Sequence, residues 1–194
     1  MLNRALPPQT PSPVITMPAN IVTPRAVLRK VRLSDAAAVS AQVSDYDIAK
    51  MTQSIPFPMP KVSAEIWLLL SRSAWDRGLR YSYAVCPVGS DELRGVVSLF
   101  QTPGGEWELG YWIARDLWGQ GYAAHCAGAA MDAFEAANGP ARFHAGVFDD
   151  NPASAAVLTK LGFKPTGKTD NLFSMARLEN VPGKHFIREP GDDR

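Results

Sequence analysis

Regular alternation of apolar and polar positions begins at residue 25, where Ala26, Leu28 and Lys30 alternate with Val27, Arg29 and Val31 as in a half-buried strand. Ser34 and Asp35 follow, and Ser34 is expected to cap a helix through the alanine-rich run to Val43. A second helical stretch, residues 47–51, stops before Ile55-Pro56-Phe57-Pro58-Met59-Pro60, because three prolines cannot sit inside a helix. Residues 62–75 then predict a helix with Ile66, Leu69, Leu70 and Trp75 on its buried face and Gly78 beyond its end. Three strand-like stretches come next, residues 80–86, 93–101 and 107–113, and their short connections imply an antiparallel meander.

The second half predicts a helix over residues 120–137, stopped by Asn138-Gly139-Pro140, then a strand over 142–148 and a helix over 152–161. Strands are expected near Phe163 and over 173–178. The whole reads as one mixed α/β domain around a central sheet, spanning residues 21–180. Residues 1–20, with Pro7, Pro8, Pro11, Pro13 and Pro18, are expected to form an extended tail, and residues 181–194 a C-terminal tail.

Composition narrows the function classes. Lys plus Arg number 20 against 19 Asp plus Glu, so the net charge of +1 offers no general attraction to nucleic acid or to an anionic membrane. Any anionic ligand must be held locally. Cys86 and Cys126 form no C-x-x-C or Cys/His cluster, so neither a disulfide framework nor a metal site is indicated, and a cytoplasmic setting is expected. The richest apolar run, Ile66-Trp67-Leu68-Leu69-Leu70, falls far short of the roughly 20 residues needed to span a bilayer. A symmetric homodimer is the default assembly.

The densest chemistry lies in Trp118-Gly119-Gln120-Gly121-Tyr122-Ala123, between a strand and a long helix. Three readings apply: a turn that merely starts the helix, a dinucleotide fingerprint, or an anion cradle. Gly119, Gly121 and Ala124 satisfy G-x-G-x-x-A, but residues 114–118 separate them from the strand, and only 73 residues follow Gly121. As a cradle, the glycines bring the backbone close to a ligand while the first helical turn offers unpaired N–H groups and a positive dipole end.

The flanking residues favour the cradle. Glu108-Leu109-Gly110-Tyr111-Trp112-Ile113 before the loop, and Asn151-Pro152-Ala153-Ser154 with Leu158-Thr159-Lys160-Leu161-Gly162-Phe163 after it, resemble the GNAT acetyltransferase superfamily, in particular its RimJ/RimL-like branch. Order and spacing agree over residues 106–163, and a looser resemblance runs from about 22 to 180. The resemblance implies the GNAT fold, a mixed, largely antiparallel sheet splayed between two parallel strands, here 107–113 and 142–148. It also implies acetyl-CoA as co-substrate and a primary amine, a protein N-terminus or a small molecule, as acceptor. The backbone of Trp112 and Ile113 would pair with the pantetheine arm. Trp118, Gly119, Gln120, Gly121, Tyr122 and Ala123 would form the diphosphate loop, and Asn151 would bind from the other side.

Direct attack by the amine needs a base and benefits from an acid. Glu108 is the candidate base, with Glu106 on the same face by period-two alternation; an exposed edge carboxylate or an ion-pair partner is the alternative role. Many superfamily members carry a tyrosine acid where this chain has Leu158, and the branch implies a serine instead, which maps to Ser154; helix capping is that residue's other reading. His144 and Cys126 are weaker candidates, read first as structural residues. Asp149 and Asp150 would hold a substrate ammonium or solvate a strand end. The acceptor would face residues 55–61 and 173–185. A non-catalytic acyl-CoA-binding or sensing module is the rival to an enzyme.

Overall fold

The structure, a computed structural model, describes residues 15–192, so Pro7, Pro8, Pro11 and Pro13 of the expected tail lie outside the described residues. Eight strands make one sheet in the order β1-β2-β3-β4-β5-β6-β8-β7. β1 (Asn20–Val22), β2 (Ala26–Lys30), β3 (Arg80–Pro87), β4 (Gly95–Gln101) and β5 (Trp107–Ile113) pair antiparallel in chain order, as their short turns require. β6 (Phe143–Phe148) runs parallel to β5 and is reached through α4 (Tyr122–Asn138). The antiparallel pair β7 (Lys164–Ser174) and β8 (Glu179–Arg188) covers the outer edge of β6.

Alternation along the strands feeds two apolar layers. Trp107, Leu109 and Ile113 of β5 pack with Met131 and Phe134 of α4 on one face. Trp112 turns to the other face and joins Val39 and Val43 of α1 (Ala36–Val43) and Leu68 of α3 (Lys61–Asp76). Among the described residues no helix is long and apolar enough to cross a membrane.

The strand expected over 173–178 is instead the end of β7 and a turn over 175–178 leading into β8, and four further expectations need correction. The buried stripe of α3 is Ala64, Leu68 and Ser71, with Trp75 stacked edge-on against Tyr81 and Tyr83, while Ile66, Leu69 and Leu70 are more than half exposed. Residues 64, 68, 71 and 75 form a proper helical stripe of small and large side chains, which lets α3 approach α1 closely; bulk alone picked the wrong face. Ser34 does not cap the first helix. A short 3₁₀ turn, Leu33–Asp35, precedes α1, and Asp35 accepts the Arg32 N–H at 2.7 Å while binding the Arg29 guanidinium at 2.7 and 2.9 Å.

The remaining two concern the ends of the domain. Residues 181–188 belong to β8, which satisfies the backbone of β6 along its length. At the other end, Ile15 and Met17 pack on the core, Tyr83 donates its hydroxyl proton to the Pro18 carbonyl at 2.7 Å, and β1 begins at Asn20. The folded unit therefore extends at both ends beyond residues 21–180.

Candidate active site

β5 and β6 pair only at Trp107–Phe143 and Glu108–His144, whereas β4 follows β5 from Trp107 to Ile113. Beyond Glu108 the parallel strands part. Every second residue of β5 there turns its N–H and C=O away from β4 and into the gap, where no strand receives them. Two cavities open from this fissure. One, about 560 Å³, lies between the C-terminal half of β5, the glycine loop and α5 (Pro152–Lys160). The other, about 310 Å³, lies on the face of α1 and α3. Both are bordered by Tyr111, Trp112 and Ser154, so they meet at that point.

The glycine loop has the properties of an anion cradle. Gly119 and Gly121 have φ of 72° and 78°, a left-handed conformation that glycine adopts without strain. α4 starts at Tyr122 with no side-chain cap. Among the described residues no acceptor pairs with the N–H groups of Gly119, Gln120, Gly121, Tyr122 and Ala123. Loop shape is set by neighbours: the Trp118 indole N–H donates to the Ile113 carbonyl at 2.7 Å, and the Gln120 amide donates to the Asp116 carbonyl at 2.7 Å. That bond occupies the Ile113 carbonyl, which leaves its N–H and the other turned-out groups of β5 for pairing with a ligand. Arg115 stacks on Trp118 and binds Asp45 and Asp47, tying the loop to α2 (Tyr46–Ala49).

Across the fissure, Asn151 caps α5, its Oδ1 accepting the Ser154 N–H at 3.1 Å. Its Nδ2 makes no hydrogen bond among the described residues, and the side chain borders the larger cavity. Capping is thus the work of Asn151, and the Ser154 hydroxyl is free for another partner. That partner is the Tyr111 hydroxyl, 2.9 Å from Ser154 Oγ. Burial pushes the Tyr111 phenol up to about 12, so it stays neutral and keeps a proton to donate.

Among the described residues, two charged groups border the smaller cavity, Glu108 and Arg80. They belong to one row across the sheet, because Arg80 of β3 faces Phe100 of β4, and Phe100 faces Glu108 of β5. Directly opposed residues share a face. Burial raises the Glu108 carboxyl above its ordinary range, and the Arg80 charge partly offsets this. Glu106 stands apart, outside both cavities, with its carboxylate 3.3 Å from His144 Nε2.

The other candidates have structural surroundings. Burial pushes the Cys126 thiol up to about 12, the reverse of an activated thiolate. Asp149 pairs with Lys184, and Asp150 with Arg177. Ile55 and Met59 of the proline-rich loop line the smaller cavity, and residues 173–185 line neither cavity. That hairpin acts at one remove: the Met175 N–H donates to the Gln53 carbonyl and Arg177 to the Lys50 carbonyl, bracing the chain beside the site. Arg80 and Tyr111 carry no sequence signal of a role, since each gains its meaning from residues far along the chain.

Comparisons with known proteins agree with this geometry. The family described as Acetyltransferase (GNAT) domain matches residues 25–164. A curated relative, an uncharacterized N-acetyltransferase p20 of Bacillus licheniformis, is 24% identical over 149 residues, covering 76% of this chain and 83% of its own. Among solved structures, RimL, a ribosomal L7/L12 alpha-N-protein acetyltransferase in complex with coenzyme A, superposes with a TM-score of 0.78 at 20% identity, covering 90% of this chain and 99% of that one. The microcin C7 self-immunity acetyltransferase MccE, in complex with acetyl-CoA and AMP, gives 0.77 at 15% identity, covering 91% and 99%. With the family matched over most of its length and the splayed sheet in place, this chain belongs to the GNAT acetyltransferase family and is an acyl-CoA-dependent N-acetyltransferase that uses acetyl-CoA as co-substrate.

Proposed function

We propose that the protein acetylates a primary amine, a protein N-terminus or a small molecule, by direct attack within a ternary complex. The observation that carries this is the meeting of two cavities at Tyr111, Trp112 and Ser154, one bordered by uncapped amides and the other containing the half-buried carboxylate of Glu108. In this reading the N–H groups of Gly119 to Ala123 hold the diphosphate, turned-out groups of Tyr111 to Ile113 hold the pantetheine as a strand would, and Asn151 donates from the opposite wall. Bound acetyl-CoA supplies an acyl group activated as a thioester.

The chain's own residues manage the protons. Glu108 takes the proton that the attacking nitrogen sheds, a task favoured by a carboxyl whose proton affinity burial has increased. Ser154 donates a proton to the departing sulfur and takes one from the Tyr111 hydroxyl, which regains its own from solvent in the open cavity. That pair serves where other superfamily members use a tyrosine at the position of Leu158. The reaction runs in the cytoplasm, a setting consistent with two buried free cysteines.

To test the reaction class, the protein is incubated with acetyl-CoA and a panel of peptides and small amines while free thiol is followed. Acceptor-dependent thiol release is expected, and Glu108→Gln lowers kcat/KM by about a hundredfold or more. CoA binding with no release on any acceptor would instead favour a sensing module.

A further inference from the structure

Resting on the reading above, we infer that Arg80 forms an anion site in the acceptor cavity, so that the amine substrate carries a carboxylate close to the reacting nitrogen. The guanidinium of Arg80 stacks over the Phe100 ring at 4.5 Å. It lines the same cavity as Glu108 yet forms no hydrogen bond or ion pair with any described residue. Arg80 is thus a half-buried planar cation whose five donors face the cavity without a protein acceptor among the described residues. Among the described residues, Glu108 is the one other charged group bordering this cavity.

The row across three strands gives the site its polarity. Glu108 stands on β5 beside the point where the strands part, and Arg80 stands two strands away with Phe100 between them. Adjacent strands are about 4.8 Å apart, so the two backbones are separated by roughly 10 Å. The Arg80 guanidinium reaches inward over Phe100 and shortens that span toward the size of a small zwitterion or of an N-terminal residue followed by an acidic one. An acceptor lying along the row offers nitrogen to Glu108 and its carboxylate to Arg80. The cavity, about 310 Å³ and open to solvent, has room for an amino acid or for the first residues of a peptide whose remainder extends outward. Val39, Val43, Met59 and Trp67 supply an apolar wall, which strengthens a guanidinium–carboxylate contact by excluding water.

The alternative role for Arg80 is that of counter-ion to Glu108, and the experiment separates the two. Acceptors are taken in matched pairs: alanine against alaninamide, and Ser-Asp-Ala against Ser-Asn-Ala, which distinguish a free amino acid from a peptide as the source of the carboxylate. For each pair the ratio of kcat/KM, acid over amide, is measured in wild type and in Arg80→Met; comparing the two ratios cancels the acceptors' own basicity. In at least one pair the ratio falls about tenfold to a hundredfold in the variant, the size of one hydrogen-bonded charge contact. If both members of each pair lose activity equally, Arg80 is only a counter-ion and the inference is overturned.

If no amine is acetylated, the reading of the reaction fails first, and binding still decides about Arg80. N-acetylalanine is then expected to raise the melting temperature of wild type more than N-acetylalaninamide does, with the difference lost in Arg80→Met. Equal stabilisation by the two, or none by either, overturns the anion site. Should Arg80→Met fail to fold, the wild-type comparison together with Arg80→Lys, which retains the charge but not the fork, carries the same test.

Discussion

Placing a methyl group on the glycine loop separates its role in ligand binding from its role in folding. Gly119 and Gly121 have φ of 72° and 78°, and Gly105, in the turn at the other end of β5, has φ of 82°. A Cβ at Gly119 or Gly105 meets nothing within 4 Å, and at Gly121 its nearest neighbour is Arg25 Nη1 at 3.6 Å, an ordinary contact. Crowding therefore plays no part, and Gly→Ala at each position costs the backbone term alone, about 1–2 kcal/mol for a left-handed alanine. In a domain of this size each kcal/mol lowers the melting temperature by about 2–4 °C, so all three variants lose about 2–8 °C. Gly119→Ala and Gly121→Ala lose something more. Relief of the strain turns the loop amides away from the diphosphate, and each charge-assisted bond is worth about 1.5–3 kcal/mol. Calorimetric titration with CoA then gives a Kd raised about tenfold to a hundredfold for these two and unchanged for Gly105→Ala, which sits about 20 Å away along the strand. Three variants with equal losses of stability and wild-type affinity for CoA would refute the cradle.

Further outcomes follow from the proton-handling groups. Ser154→Ala lowers kcat with acetyl-CoA affinity preserved, and Tyr111→Phe does the same to a smaller extent, because it removes only the hydroxyl that supplies Ser154; steady-state kinetics separates kcat from KM. A base must be ionised, so the acid limb of kcat/KM against pH that belongs to Glu108 lies above the ordinary carboxylate range, since burial raises that carboxyl. Arg80 acts in the opposite direction, so Arg80→Met moves the limb to still higher pH, and Glu108→Gln removes it. Asn151→Ala lowers stability by about 1 kcal/mol through loss of the α5 cap, which thermal denaturation reads, and weakens CoA binding as well.

The fold was largely legible because its elements are punctuated by residues with a single physical meaning. Three prolines after Ile55, Asn138-Gly139-Pro140 after α4 and Pro152 at the start of α5 mark boundaries whatever the tertiary context. On α3, Leu69 and Leu70 suggest burial by their bulk, while Ala64 and Leu68 are the residues packed with Val39 and Val43 of α1; bulk and burial diverge where helices pack closely. Residues 181–188 carry no strong strand signal of their own, and β8 is held by pairing with β6 and β7 on either side.

At the site, the loop and Asn151 are local motifs and could be read directly. The separation of Glu108 from Glu106 could not, since both share a face and only the point where β6 leaves β5 distinguishes them. Arg80 and Tyr111 depend on register across strands and on a helix more than 40 residues away, information that enters only when the chain is folded.

The most direct measurement is a crystal structure of the protein with CoA bound. The account predicts diphosphate oxygens within hydrogen-bond distance of the amides from Gly119 to Ala123, the pantetheine lying between β5 and β6 beyond Glu108, and sulfur beside Ser154 and Tyr111. A diphosphate seated elsewhere, or an arm that avoids the fissure, would contradict it.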